Sequence, residues 1–263
     1  MYTTINQKLA EIERTENIKV LRAVESGSRA WGFASPDSDY DVRFIYVREP
    51  EFYLRLGKTR DVIEWVLDET LDINGWDLQK TLRLLHKSNP TLFEWASSPI
   101  VYHTTPEWEL ISRRIPEYFL SKPGVYHYLH MAENNYREYL KRDFVRVKKY
   151  LYVLRPILAC KWILKRYSPP PVLFSELVAS EANDVITVKF EQLLKIKEQS
   201  PETYEMPRIE PINDYIDSTL PLLKSQAESL PSVKSKGYNE LDKLFIETIC
   251  RKNKWDGIYK GKD

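Results

Sequence analysis

The sequence predicts an α+β protein in which a first half of mixed strands and helices is followed by an all-helical second half. Two observations carry this. Short apolar runs bounded by turn residues recur up to Tyr102, whereas beyond Lys122-Pro123-Gly124 the strand signal fades and long amphipathic patterns take over. The Lys122-Pro123-Gly124 breaker then divides residues 1–121 from a helical domain over 122–263.

The elements follow in order. Ile5, Leu9 and Ile12 recur at i, i+4 and i+7, which predicts a helix over Thr4–Glu13. Lys19–Val24 and Asp41–Val47 read as strands, and Pro50 interrupts the second ahead of a helical turn over Glu51–Leu56. Val62–Leu67 and Thr70–Ile73 read as strands joined by a tight turn at Asp68-Glu69. Asp77 has the position of an N-cap for a helix carrying Leu78, Leu82 and Leu85. A short helix over Pro90–Ala96, an edge strand or extended link at Ile100–Tyr102, and a helix over Glu107–Phe119 complete the first half.

In the second half, Val125–Val147 reads as one long helix and Lys149–Tyr167 as another, ended by Ser168-Pro-Pro-Pro171. Pro156 is expected to kink or restart the second one. Phe174–Ala179, Val188–Glu198, Ile212–Glu228 (broken at Pro221) and Leu241–Arg251 are further helices, ahead of a basic tail.

Composition excludes several classes. The net charge of +1 gives no global sign of nucleic-acid binding. The two cysteines, Cys160 and Cys250, lack metal-type spacing and do not make a disulfide framework. No apolar run reaches the length of a membrane span, and the N-terminus lacks a basic-then-apolar leader, so a cytoplasmic protein with no membrane partner is expected.

The most informative segment is Glu25-Ser-Gly-Ser-Arg-Ala-Trp-Gly-Phe-Ala-Ser-Pro-Asp-Ser-Asp-Tyr-Asp-Val-Arg-Phe-Ile-Tyr-Val47. A Gly-Ser turn precedes two aspartates, Asp39 and Asp41, at the start of an apolar strand. Residues i and i+2 of a strand share a face, and paired carboxylates repel unless a proton or cation lies between them. Hard divalent ions take one or two carboxylates plus substrate phosphates. The turn offers backbone N–H groups and the Ser28 hydroxyl to an anion. Phosphoryl or nucleotidyl transfer is the chemistry that combination serves. A plain polar turn capped by aspartates is the competing reading. A calcium loop beginning at Asp37 fails, because Val42 stands where its Gly belongs and Arg48 where its closing Glu belongs.

This segment resembles the signature of the DNA polymerase β-like nucleotidyltransferase superfamily: an apolar strand, Gly-Ser, a spacer, then Asp-x-Asp entering another strand. The longer string resembles a branch of nucleotidyltransferases found beside RNA ligases. Leu71-Asp-Ile-Asn-Gly-Trp-Asp-Leu78, Ser88-Asn-Pro-Thr-Leu-Phe-Glu-Trp95 and Lys148-Lys-Tyr-Leu-Tyr-Val-Leu-Arg-Pro156 match the same branch, so the resemblance spans most of the first 165 residues.

The resemblance implies a mixed sheet flanked by helices, a helical domain closing the nucleotide cleft, and a two-metal mechanism using Mg²⁺, for which Mn²⁺ can substitute, with an NTP as substrate. It implies Asp39 and Asp41 as ligands of both metals and a third catalytic and metal-binding carboxylate on a neighbouring strand. Asp72 is the choice, in its apolar strand context, with Asp77 the main competitor. Gly27 and Ser28 would meet the phosphates, with Arg29 as either a phosphate contact or a surface cation. Arg43 shares a strand face with the aspartates by period-2 counting and either balances their charge or binds substrate. Trp31 and Phe33 read as packing residues, and Asn74 shares a face with Asp72.

The helical half holds a basic block. Ten cations lie between Arg137 and Arg166 against only Glu138 and Asp143, interleaved with tyrosines, Phe144 and Trp162. A solvated helix face is the ordinary reading of such a run, but cations among aromatic planes also suit a triphosphate with its base or a nucleic-acid strand. Lys149, Tyr152 and Arg155, at roughly helical spacing, are the nucleotide-binding candidates here. His127, His130 and Glu133 sit three apart without a motif that makes them a metal site.

The predicted reaction moves a nucleoside monophosphate to an acceptor and releases pyrophosphate. The acceptor is an RNA end, a protein hydroxyl or a small molecule, and the basic block favours nucleic acid. The alternatives are a nucleotide- or RNA-binding module that performs no transfer and an antitoxin-like partner that attaches AMP to its target protein.

Overall fold

A computed structural model describes residues 1–57, 59–66, 70–182 and 184–250. Helix α1 (Tyr2–Glu16) leads into strand β1 (Lys19–Glu25), a single helical turn α2 (Gly27–Ala30) and β2 (Tyr40–Val47). After a second turn, α3 (Pro50–Tyr53), come β3 (Val62–Val66), β4 (Leu71–Asp77), α4 (Leu78–His86), α5 (Pro90–Ala96), β5 (Val101–Thr104) and α6 (Pro106–Ser112). The expected turn at Asp68-Glu69 lies outside the described residues.

The five strands form one mixed sheet in the order β3-β4-β2-β1-β5, in which β2 and β4 run parallel and the other pairs antiparallel. The sheet has an apolar layer on each face. Val42, Phe44 and Tyr46 of β2 pack with Ile5, Leu9 and Ile12 of α1, while Ile45 and Val47 pack with Leu78, Leu82 and Leu85 of α4 and with Trp95 and Trp108. By alternation, Asp41 and Arg43 lie on the second face with Ile45. Along β4 every second residue is buried, which leaves Asp72, Asn74 and Trp76 half-buried on one face. Gly75 is required within β4, because a β-carbon there would overlap the ring of Phe44 on the paired strand.

Asp77 ends β4 and caps α4, its carboxylate accepting from the Gln79 N–H at 2.7 Å. Asn89 caps α5 in the same way, ahead of Pro90 in the first turn, where the missing N–H is harmless.

The helical half departs from expectation at four places. Lys122, Pro123 and Gly124 are not a break, since they form the first turn of α7 (Ser121–Tyr139), where proline is tolerated. The helix predicted to reach Val147 stops at Tyr139. Phe144–Arg146 then forms β6, which pairs antiparallel with β7 (Glu205–Pro207), and no local pattern announces a ribbon whose partner lies about sixty residues away. Helix α8 (Val147–Arg166) continues through Pro156, and α11 (Glu210–Ser229) through Pro221. Helices α9 (Phe174–Glu181) and α10 (Asp184–Gln199) surround α8 in a core dominated by Tyr128, Tyr150, Leu154 and Phe190.

The division at residue 121 is also incomplete. In α12 (Asn239–Cys250), Leu241 is buried in the core of the first half and the Phe245 ring sits 5.0 Å from that of Tyr53, so the last helix returns to the sheet domain. Among the described residues, no helix is long and apolar enough to cross a membrane.

Candidate active site

The site is built where β2 and β4 run side by side. Their register sets Asp41 opposite Asp72 and Arg43 opposite Asn74. Both carboxylates therefore leave the same face at the same level. Arg43 bridges them, with Nη2 2.8 Å from Asp41 Oδ1 and 2.8 Å from Asp72 Oδ2. Nη1 also donates to the Asp72 carbonyl at 3.3 Å. The guanidinium stands where two like charges need a cation.

Asp72 owes its place to strand register rather than to burial, since its side chain is 43% exposed. Asp77, its competitor, is committed to capping α4 and accepts from the Tyr53 hydroxyl at 2.8 Å. Asp39 precedes β2, with an exposed side chain, and is not part of the bridged pair. It is nevertheless near enough to act on Asp41. Partial burial raises the Asp41 carboxyl most, Arg43 opposes, and Asp72 and then Asp39 raise it further. Among the described residues, no three His, Cys, Asp or Glu side chains converge on one metal position, which covers both the predicted Asp39–Asp41–Asp72 set and the His127–His130–Glu133 trio.

Two groups hold Asp41 in place, and a third braces one of them. Its N–H donates to Glu25 Oε1 at 2.8 Å, and its carbonyl accepts from the Ser26 N–H at 2.8 Å. The other Glu25 oxygen accepts from the Tyr102 hydroxyl. Glu25 is only 1% exposed, and burial pushes its carboxyl up against the opposing pull of Tyr102 and the Asp41 N–H. Sequence reasoning passed over Glu25, although a carboxylate ending an apolar strand beside the Gly-Ser turn was a visible signal. Gly27 has φ +60° and faces Asp41 directly: a β-carbon on it would overlap Asp41 Oδ2 and lie 3.1 Å from Cγ. The close approach that glycine allows is thus to the protein's own carboxylate. Ser28 is buried in the same turn.

Arg29 turns inward. It donates to the carbonyls of Asp39 at 3.0 Å and Ser38 at 2.6 Å and lies over the Tyr40 ring at 3.8 Å, so it shapes the loop that carries Asp39. A second strap reaches that loop from the helical half. Glu202 accepts from the Ser38 hydroxyl at 2.7 Å and pairs with Lys148, its N–H donates to the Asp37 carboxylate at 3.0 Å, and buried Lys197 donates to Ser35 at 2.6 Å.

The other wall is α8. Tyr152 meets Trp31 edge-on at 5.4 Å. Its hydroxyl is pushed up to about 12, first by burial and then by the carboxylates of Glu202, Asp41 and Asp39. The face shared with Lys149 is real, as Nζ lies 5.6 Å from the Tyr152 ring. Arg155 does not join them. It is 1% exposed, 2.9 Å from Glu94 and stacked on Trp31 at 4.5 Å, so it is a core cation and not a phosphate contact. Glu94 also accepts from Tyr128 at 2.7 Å and from the Trp31 indole at 3.3 Å, which locks α5 to α7, α8 and the segment after α2. Trp31 and Phe33 are packing residues, Phe33 lying within the helical core. Much of the basic block has partners within the chain: Lys141 with Asp217 and Arg146 with Glu205 at the exposed surface, and Lys161 with Tyr215 and Arg166 with Glu181 in part-buried positions.

Known proteins share this chain's sequence over nearly its whole length. A family model described as the RNA repair pathway DNA polymerase beta family, RlaP, matches residues 1–247. The protein YcgL of Bacillus subtilis (strain 168) is 44% identical over 256 residues, which are 95% of this chain and 96% of that protein. Among solved structures, a nucleotidyltransferase-like protein from Exiguobacterium sibiricum 255-15 aligns with 86% of this chain and 73% of its own at 12% identity and a TM-score of 0.29, an overlap too slight to bear on the fold.

Proposed function

We propose, since the chain belongs to the RNA repair pathway DNA polymerase beta family, that it transfers a nucleoside monophosphate from an NTP to an acceptor, with an RNA end as the favoured acceptor. The observation that carries this reading is the Asp41–Asp72 pair, held in register on adjacent parallel strands and bridged by a cation of the protein's own.

The donor set fits a hard divalent ion. Two carboxylates with exposed edges suit Mg²⁺ or Mn²⁺, which completes its shell with water and phosphate oxygens, and Arg43 marks where positive charge is stabilised. Asp41 and Asp72 would hold the ion, with Asp39 reaching it once its loop adjusts. The ion would supply charge neutralisation at the triphosphate and a lowered pKa at the attacking hydroxyl.

The chain's own groups do the rest. Glu25 fixes the Asp41 backbone, and Gly27 leaves room for its carboxylate. Ser28 and the amides of its turn would meet an anion. Tyr152 borders the cleft from α8 and meets the base of the nucleotide. In the transfer, the acceptor oxygen bonds to the α-phosphorus as the bond to pyrophosphate breaks, and the acceptor proton leaves to solvent or to a site carboxylate.

The test is incubation with each labelled NTP, Mg²⁺ and total RNA, scoring label transfer and pyrophosphate release. Transfer is expected with the native chain and absent with Asp41→Asn, whose circular dichroism should be unchanged. Undiminished transfer by that variant would overturn the assigned site. The Arg43 bridge favours one second reading, a nucleotide-binding module with a quenched site. Nucleotide affinity without pyrophosphate release against any acceptor pool would establish it.

A further inference from the structure

A concave pocket of about 230 Å³ opens where the β6–β7 ribbon meets the start of α8, outside the carboxylate site. Its lining sets three cations, Arg142, Arg146 and Lys149, and two aromatic rings, Tyr139 and Phe144, against two carboxylates, Glu138 and Glu205. Strand alternation places Phe144 and Arg146 on the outer face of the ribbon while Val145 is buried beneath. Phe144 is 60% exposed, which is unusual for a phenylalanine with a core available one residue away.

The cations are arranged unevenly. Arg146 has a carboxylate partner in Glu205 at 3.6 Å. Arg142 is exposed and makes no ion pair among the described residues. The Lys149 ammonium lies 3.5 Å from the centroid of the Tyr139 ring. Burial lowers its pKa first, and Lys148 and Arg146 lower it further against the pull of Glu138 and Glu202. A cation crowded by like charges is stabilised by an arriving anion.

Lys149 connects the pocket to the α8 wall of the proposed site. Lys149 contacts the Tyr152 ring one helical turn on, and Tyr152 senses the charges of Asp39 and Asp41. Arg146 precedes Tyr152 by six residues, about 9 Å along a helix axis. A chain of alternating phosphates and bases laid along α8 toward Asp41 would cross this pocket. An arginine with no ion-pair partner beside an exposed aromatic ring suits a single strand, because phosphate contacts give affinity and stacking is tolerant of sequence.

Resting on the nucleotidyl-transfer reading, we propose that this pocket anchors the acceptor, a single-stranded RNA, with a base against Phe144 or Tyr139 and its phosphates on Arg142 and Lys149.

The test measures binding of a fluorescein-labelled 12-nucleotide single-stranded RNA to the full chain by anisotropy. The variants are Phe144→Ala and Arg142→Glu, both at exposed positions. Each should weaken RNA binding by about tenfold, and Arg142→Glu should also flatten the salt dependence of binding. Binding of ATP with Mg²⁺, measured by calorimetry, should stay unchanged in both. RNA affinity equal to that of the native chain, no RNA binding by the native chain, or a parallel loss of ATP binding would each overturn the pocket assignment. A native chain that binds RNA through this pocket yet releases no pyrophosphate would instead overturn the transfer reading and leave the pocket standing.

Discussion

Gly27 packs directly against the Asp41 side chain: a β-carbon on Gly27 would overlap Oδ2 of the Asp41 carboxylate. The turn and the strand are therefore one unit, and the Gly-Ser motif shapes the carboxylate as much as it faces any phosphate. Gly27→Ala should displace Asp41 and strain a backbone at φ +60°. We expect a stability loss of about 1–2 kcal/mol from the backbone conformation and a loss of Mn²⁺ binding, read by urea melts and by electron paramagnetic resonance. Native-like Mn²⁺ affinity in a folded variant would show that Asp41 does not hold the ion.

Arg43 neutralises Asp41 and Asp72 where a divalent ion would. Arg43→Ala leaves the pair unbridged. In EDTA the variant should be less stable than the native chain by about 1 kcal/mol, a modest figure because the pair is partly exposed and screened. Millimolar Mg²⁺ should restore the melting temperature of the variant and raise that of the native chain less. Equal shifts in both proteins would show that ion and guanidinium do not compete for the same carboxylates.

The legible part of this site was the part written locally. Gly27, Ser28, Asp39 and Asp41 fall within one short motif, and Asp72 was found because aspartate within an apolar strand is conspicuous. Burial does not place Asp72, however; parallel register with Asp41 does. Arg155 shows the opposite case. Its sequence spacing matched an exposed face shared with Lys149 and Tyr152, but its partner Glu94 lies 61 residues away, and only the packing of α8 on α5 reveals that the cation is internal. The β6–β7 ribbon and the strap by Glu202 were unreadable for the same reason. Helices α5 and α8 were legible because caps and periodicity are local signals.

Asp77 offers a pH test on a buried carboxyl. Burial raises it to about 6, against the hydrogen bonds from Tyr53 and the Gln79 N–H. The folded chain therefore binds this proton more tightly than the unfolded chain. The contribution of Asp77 is fully present below its ordinary value near 3.8 and is lost as pH rises through about 6. Asp77→Asn keeps an N-cap acceptor and removes the titration. Relative to the native chain the variant should gain stability between pH 4 and pH 7, by at most about 3 kcal/mol. Urea melts whose difference is constant over that range would refute the raised value.

Glu94 tests the joint between the two halves with the opposite sign. Burial raises its carboxyl, but Arg155 and the hydrogen bonds from Tyr128 and Trp31 outweigh burial and hold it below the ordinary value. Its contribution is present above about pH 4.5 and is lost as pH falls through the depressed folded value. Glu94→Gln leaves the Arg155 guanidinium buried without a countercharge, which costs about 3–5 kcal/mol at neutral pH when a buried pair loses one member. The difference from the native chain should narrow in acid. Because Arg155 also stacks on Trp31, and Trp31 meets Tyr152 edge-on, the variant should loosen the α8 wall and raise the KM for NTP more than it lowers kcat. A variant as stable as the native chain at pH 7 would show that the Glu94–Arg155 pair is dispensable to the joint.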